Sequence, residues 1–136
     1  MYLSDIMISD PVTIPVTKSI QEALKVMRLH KLSHLIITNE DESLSGIVAK
    51  QDVLDYLYNL VANTTGKTYT AMEVNSFSIK EVMTTNISFL RQDASIQDAI
   101  HLFAKQHISC VPVVNENDKL VGIITAHDVF KYFDKK

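Results

Sequence analysis

The sequence predicts an α+β fold made of two β-α-β-β-α repeats related by a pseudo-twofold axis. Three observations carry this expectation. A long segment is written twice, apolar residues recur at helical spacing directly behind capping residues, and short apolar runs bounded by polar turns separate the helices.

The duplication emerges when the chain is slid along itself. SIQEAL at Ser19–Leu24 returns as SIQDAI at Ser95–Ile100. The same offset carries Met7 onto Met83, Ser33 onto Ser109, Asn39 and Glu40 onto Asn115 and Glu116, and Leu44, Gly46 and Ile47 onto Leu120, Gly122 and Ile123. Asp52, Val53 and Tyr56 then meet Asp128, Val129 and Tyr132, with no gap. From Met7 to Leu57 about fourteen of roughly fifty positions are identical, far beyond chance. A copy of about 50 residues buries little surface alone, so the two are expected to fold together around one core. The repeats are placed at 1–63 and 78–136, with 64–77 as a connector.

Within the first copy, VTIPV (Val12–Val16) reads as a strand. A helix starts after Ser19, where Ser19 and Glu22 form an S-x-x-E capping box and Ile20, Ala23, Leu24 and Met27 share a face. HLIIT (His34–Thr38) and LSGIVA (Leu44–Ala49) read as the strands of a hairpin around the polar turn NEDES. A second helix opens near Lys50 and carries Val53, Leu54, Leu57, Leu60 and Val61 inward until NTTGK dissolves the pattern. The second copy repeats the order with Ile87–Arg91, Ser95–His107, Val111–Val114, Lys119–Thr125 and Ala126–Phe133. SIKEVM (Ser78–Met83) reads as a short helical turn leading into it.

Composition narrows the function. The chain has 136 residues, 46% apolar and 21% charged, an ordinary globular mix that argues against disorder. Its apolar runs fall far short of the ~18 residues needed to cross a bilayer, so no membrane span is expected. MYLSDIM carries Asp5 where a secretory leader would carry a cation. Cys110 stands alone, which excludes an intrachain disulfide and fits a cytoplasmic protein. Thirteen Lys and Arg against sixteen Asp and Glu leave a formal net charge of −3, which disfavours nucleic acid as a partner.

Taken in order, DIMISDPVTIPVTKSIQEAL, SHLIITNEDESLSGIVAKQDVL, EVMTTNISFLRQDASIQDAI and SCVPVVNENDKLVGIITAHDVF cover nearly the whole chain. Each unit opens near D-x-M or E-x-M and closes with G-h-h-x-x-x-D-V, where h is apolar. The pattern resembles the cystathionine-β-synthase (CBS) domain pair, or Bateman module. The resemblance implies a regulatory, non-catalytic module that senses AMP, ADP, ATP or S-adenosylmethionine in clefts shared by the two repeats. It also implies a homodimer. With no length left for a further domain, the chain reads as a stand-alone pair whose regulated partner is a separate protein.

GIITAHD (Gly122–Asp128) is where a strand meets a helix, and unpaired N–H groups at such an end suit a phosphate. An ionised Asp can accept both hydrogen bonds of a ribose diol. The resemblance assigns Asp128 to ribose and Thr125 to ribose or phosphate, with His127 beside them. The same residues also spell T-x-x-D, a capping box that needs no ligand. Carried over position by position, the Asp128 cleft takes Asp10, Val12, Leu32, Ser33 and His34, although Val and Leu there are equally at home in a core. The Asp52 cleft takes Lys50, Asn86, Ser88, Ile108, Ser109 and Cys110. It departs from the family by placing Ala49 where a hydroxyl is usual and Ile36 where the second copy has Pro112. The Asp128 cleft ranks first. Ala49 supports an alternative reading, a dimerisation or docking module that binds no small molecule.

Other signals fail. GKT (Gly66–Thr68) lacks the earlier glycine of a phosphate-binding loop, since Val61 stands there. His30 and His34 have a helical metal-ligand spacing, but His34 should already lie in a strand. Cys110 near His107 or His127 opens a buried strand, where thiols are usually inert, so no catalytic or metal site is assigned.

Overall fold

The computed structural model describes residues 2–62, 77–106, 108 and 110–134. The expected connector over 64–77, apart from Phe77, lies outside them, as do His107, the candidate Ser109 and the side chain of Val61.

In chain order the elements are a 3-10 turn (Leu3–Asp5), β1 (Ile8–Ser9), β2 (Thr13–Pro15), α1 (Ile20–His30), β3 (His34–Thr38), β4 (Leu44–Ala49) and α2 (Lys50–Ala62). A second 3-10 turn (Ile79–Glu81) precedes β5 (Leu90–Arg91), α3 (Ile96–Gln106), β6 (Cys110–Val114), β7 (Leu120–Thr125) and α4 (Ala126–Asp134). The mixed α/β order expected of each repeat is present. Ile87–Arg91 pairs only at Leu90 and Arg91, and the short strand β1 was not expected.

The caps explain where the helices begin. Ser19 Oγ accepts the Glu22 N–H at 3.2 Å. In the second copy the box closes both ways: Ser95 Oγ accepts the Asp98 N–H at 3.1 Å, and Asp98 Oδ2 accepts the Ser95 N–H at 3.1 Å. Helix α1 buries Ile20, Ala23 and Met27, the i, i+3, i+7 stripe of its sequence.

The chain divides into two compact units. The N-terminal unit holds Val12–Glu40 and Ser45–Ile87; the C-terminal unit holds Met1–Pro11, Asp41–Leu44 and Ser88–Lys136. In the N-terminal unit the sheet order is β2-β3-β4, with β2 parallel to β3 and α1 as the crossover. In the C-terminal unit the order is β1-β7-β6-β5, with β5 parallel to β6, α3 as crossover, and β6 antiparallel to β7.

Each unit has a core of its own. Ile14, Ile20, Met27, Leu35, Ile37, Val48, Val53 and Ile79 fill the N-terminal unit. Leu3, Ile96, Ala99, Val111, Val113, Ile124 and Val129 fill the other. The expectation that SIKEVM leads into the second unit is corrected, because the turn Ile79–Glu81 packs in the N-terminal unit. Likewise the opening turn with Leu3 packs in the C-terminal unit. The compact units therefore differ from the sequence repeats 1–63 and 78–136. Each unit closes its core with a fully buried apolar residue from the opening of the other repeat, and that segment also pairs with a strand edge. Ile8 pairs with Ile123, and Thr84 with Ile47.

Candidate ligand-binding site

In the C-terminal unit the junction of β7 and α4 presents Thr125, His127 and Asp128. Thr125 donates twice to Asp128 Oδ2, from its N–H at 2.9 Å and from Oγ1 at 2.8 Å. The Asp128 N–H donates back to Thr125 Oγ1 at 3.2 Å. The capping box read from T-x-x-D is thus formed, and it fixes the carboxylate at the helix start. Asp128 Oδ1 accepts no hydrogen bond from the described residues. Thr125 and Asp128 are half-buried, and His127 is exposed on the first turn of α4.

Cys110 pairs with Thr125 across the β6–β7 ladder. Burial pushes its thiol up to about 12, and the negative charge of Asp128 adds to the effect. Such a thiol stays protonated and unreactive near neutral pH.

The remaining candidates of this unit are more scattered. The Asp10 N–H donates to the Val121 carbonyl at 3.4 Å, near the start of β7, while Thr125 ends that strand. Four residues of extended chain span about 13 Å, so the backbone of Asp10 is not beside that of Thr125. Asp10 adopts a left-handed backbone, φ 51°. Ser88 Oγ donates to Gln106 Oε1 at 2.6 Å, tying it to the end of α3. Ile108 packs on the core.

The N-terminal unit has the matching junction between β4 and α2, with a different outcome. Ala49 offers no hydroxyl, and Asp52 is exposed without a hydrogen bond from the described residues. Lys50 follows Ala49, and its N–H donates to the Ser33 carbonyl at 2.9 Å. Ser33 Oγ and His34 Nδ1 share a hydrogen bond of 3.0 Å. Val12 and Leu32 pack against the core, and Asn86 is exposed beyond the Thr84 bridge.

Ser33 and Lys50, assigned by sequence to the Asp128 and Asp52 clefts respectively, are neighbours within the N-terminal unit. Met27, Arg28, Lys31, Leu32, Ser33 and Lys50 line an open hollow of about 400 Å³. Arg28 and Lys31 were missed because they end a helix, where cations are ordinarily read as complements of its dipole. The unusual signal was Lys31 itself, standing where a helix commonly ends in glycine. No carboxylate lines the hollow, and no ion pair reaches Arg28, Lys31 or Lys50 from the described residues.

Among the described residues no group of three or more His, Cys, Asp or Glu could hold a metal ion, and no helix is long and apolar enough to cross a membrane.

Comparison with known proteins places this geometry in a family. The CBS domain matches twice, over residues 3–59 and 79–135. A homoserine O-acetyltransferase of Methanohalobium evestigatum is 28% identical over 134 residues, covering 98% of this chain and 24% of that protein. The chain thus spans about a quarter of the length of the first curated relatives it matches. Among solved structures, the CBS domain pair of protein MJ0100 in complex with 5′-methylthioadenosine and S-adenosyl-L-methionine superposes with a TM-score of 0.79 at 30% identity, covering 100% of this chain and 98% of that one. Protein MJ1225 of Methanocaldococcus jannaschii gives a TM-score of 0.87 at 26% identity, covering 99% of this chain and 51% of that one. With both repeats matched and the paired fold reproduced, the chain belongs to the CBS domain family and carries that domain twice in tandem.

Proposed function

We propose that this CBS pair is a regulatory module that senses an adenosine-containing ligand, one of AMP, ADP, ATP or S-adenosylmethionine, and performs no catalysis itself. The observation that carries the reading is the Asp128 carboxylate, clamped by Thr125 through Oδ2 at the start of α4 while Oδ1 takes no internal hydrogen bond from the described residues. A carboxylate held in one orientation is prepared to accept from ribose hydroxyls without further ordering. The bound 5′-methylthioadenosine and S-adenosyl-L-methionine of the MJ0100 pair, similar over the full length of this chain, support the same ligand class. Ligand regulates by binding two arrangements of the module with different affinity, and the target of regulation is a separate protein or domain.

Calorimetric titration with AMP, ATP and S-adenosylmethionine tests the reading. Asp128→Asn keeps an oxygen for the cap while removing the charge. It should weaken binding about ten- to a hundredfold, the equivalent of roughly 1.5–3 kcal/mol for a charge-assisted contact. Unchanged affinity in the variant would reject the assignment.

Ala49 favours a second reading, a docking module without a small-molecule ligand, and an absence of thermal stabilisation at millimolar nucleotide would support it. A cytoplasmic homodimer fits either reading: Cys110 is the sole cysteine, and α1, α2 and α4 expose Leu29, Tyr58, Phe130 and Phe133.

A further inference from the structure

We propose that Met7 and Met83 are paired sites of reversible sulfoxidation, through which a peroxide loosens the opening segment of each repeat from the strand it covers. The inference concerns each unit by itself and holds whether or not the chain binds an adenosine ligand.

The two methionines close the D-x-M and E-x-M motifs, Asp5–Met7 and Glu81–Met83, for which the ligand-binding site has no use. Each stands directly before residues that pair with a strand. Met7 precedes Ile8 and Ser9, which pair with Ile123 and Gly122 of β7 in the C-terminal unit. Met83 precedes Thr84, which exchanges hydrogen bonds of 2.9 and 3.0 Å with Ile47 of β4 in the N-terminal unit. Pairings this short are marginal by themselves, so the adjoining side chain adds to the hold.

Each thioether is seated on a glycine of the covered strand. A carbon added to Gly46 would come within 2.6 Å of Met83 Sδ, and one added to Gly122 would overlap Met7 Sδ. The strand side of either sulfur has no room for another heavy atom. Both residues are nevertheless partly exposed, packed on the margin of their own unit's core. Met27 provides the contrast, with the same side chain 1% exposed inside the N-terminal core. An unbranched thioether fits against bare backbone, and a peroxide converts it from apolar to polar. Cys110 does not compete for the oxidant, because burial raises its thiol to about 12 and keeps it protonated.

In the step, a sulfur lone pair attacks one peroxide oxygen. The S–O bond forms as the O–O bond breaks, and the departing hydroxide takes the proton of the transferred oxygen to leave as water. Sulfur loses two electrons and the peroxide gains them. The new oxygen is polar and has no space between sulfur and glycine, so it turns toward water and draws the side chain off the strand. A thiol-dependent reductase reverses the change, returning the sulfide while its own thiols become a disulfide and water forms.

The test treats the folded full chain with hydrogen peroxide and follows each methionine by mass spectrometry. Met7 and Met83 should oxidise at least about tenfold faster than Met27. The oxidised chain should melt about 3–6 °C lower, and the Ile47 and Thr84 amides should exchange hydrogen at least about tenfold faster. The double variant Met7→Leu, Met83→Leu keeps the volume and removes both sulfurs, so its Tm should not move with peroxide. It retains Met1, Met27, Met72 and Cys110, so a loss arising at those residues would persist in it. Should the double variant fail to fold, a methionine sulfoxide reductase decides on the oxidised parent chain. Recovery of the Tm and of slow exchange supports the proposal, and a loss that outlasts the sulfoxides overturns it. Equal oxidation of Met7, Met27 and Met83, full oxidation of Met7 and Met83 with Tm and exchange unchanged, or a double variant that loses as much Tm as the parent would each overturn it as well.

Discussion

Thr125 Oγ1 donates a 2.8 Å hydrogen bond to Asp128 Oδ2 and accepts the Asp128 N–H at 3.2 Å, a closure that Ala49 and Asp52 at the equivalent junction do not make. A strand meets a helix at both places, and Ala49 lacks the hydroxyl that Thr125 supplies. Thr125→Ala should cost about 0.5–2 kcal/mol, the usual loss of a helix cap. Ala49→Thr should recover part of that in the other repeat by completing T-x-x-D. Urea unfolding midpoints of both variants check the pair, and a stabilising Thr125→Ala would contradict it.

Gly46 and Gly122 are required by close approach. A Cβ on Gly46 would lie 2.7 Å from the Thr84 carbonyl oxygen and against the Met83 side chain. On Gly122 it would meet the Ile8 carbonyl at 3.0 Å and the Met7 side chain. Backbone yields less readily than a methionine. Both Ala variants should therefore lose about 1–3 kcal/mol as overpacked sites, with Gly46→Ala the worse. Thermal melts rank them, and equal or reversed losses would show that the opening segments shift freely.

Cys110 gives the chain an alkaline weakness. Its folded-state thiol is raised to about 12 by burial and by Asp128, against an unfolded value near 9. Between these values the unfolded state releases the proton and the folded state keeps it. Stability therefore falls as pH climbs above about 9, by up to about 1.4 kcal/mol per unit, and the thiol costs nothing below that. Cys110→Ala should flatten this slope, as measured by denaturant unfolding at pH 8, 9 and 10. A thiol reagent should label the native chain slowly and the unfolded chain at once.

The exposed aromatics of α4 supply a test of self-association. Phe130 and Phe133 are 69% and 50% exposed, large apolar surface at one helix end. The parent chain should show a dimer mass by light scattering at micromolar concentration, and Phe130→Glu should shift it toward monomer. A monomer mass for the parent would remove the homodimer.

Much of this protein was legible along the chain because the physics responsible is local. The offset from Ser19 to Ser95 exposed the duplication, Ser19 and Ser95 marked helix starts through their own hydroxyls, and Leu44–Ala49 announced a strand by its apolar run. The Thr125–Asp128 box lies within one helical turn and was readable for the same reason. Tertiary structure alone decided that Leu3 and Ile79 bury themselves with the other repeat's core, since a short opening turn has no periodicity to say which core it joins. It also decided that Arg28, Lys31, Ser33 and Lys50 share one hollow, because the end of α1 and the start of α2 approach only after the intervening strands have packed.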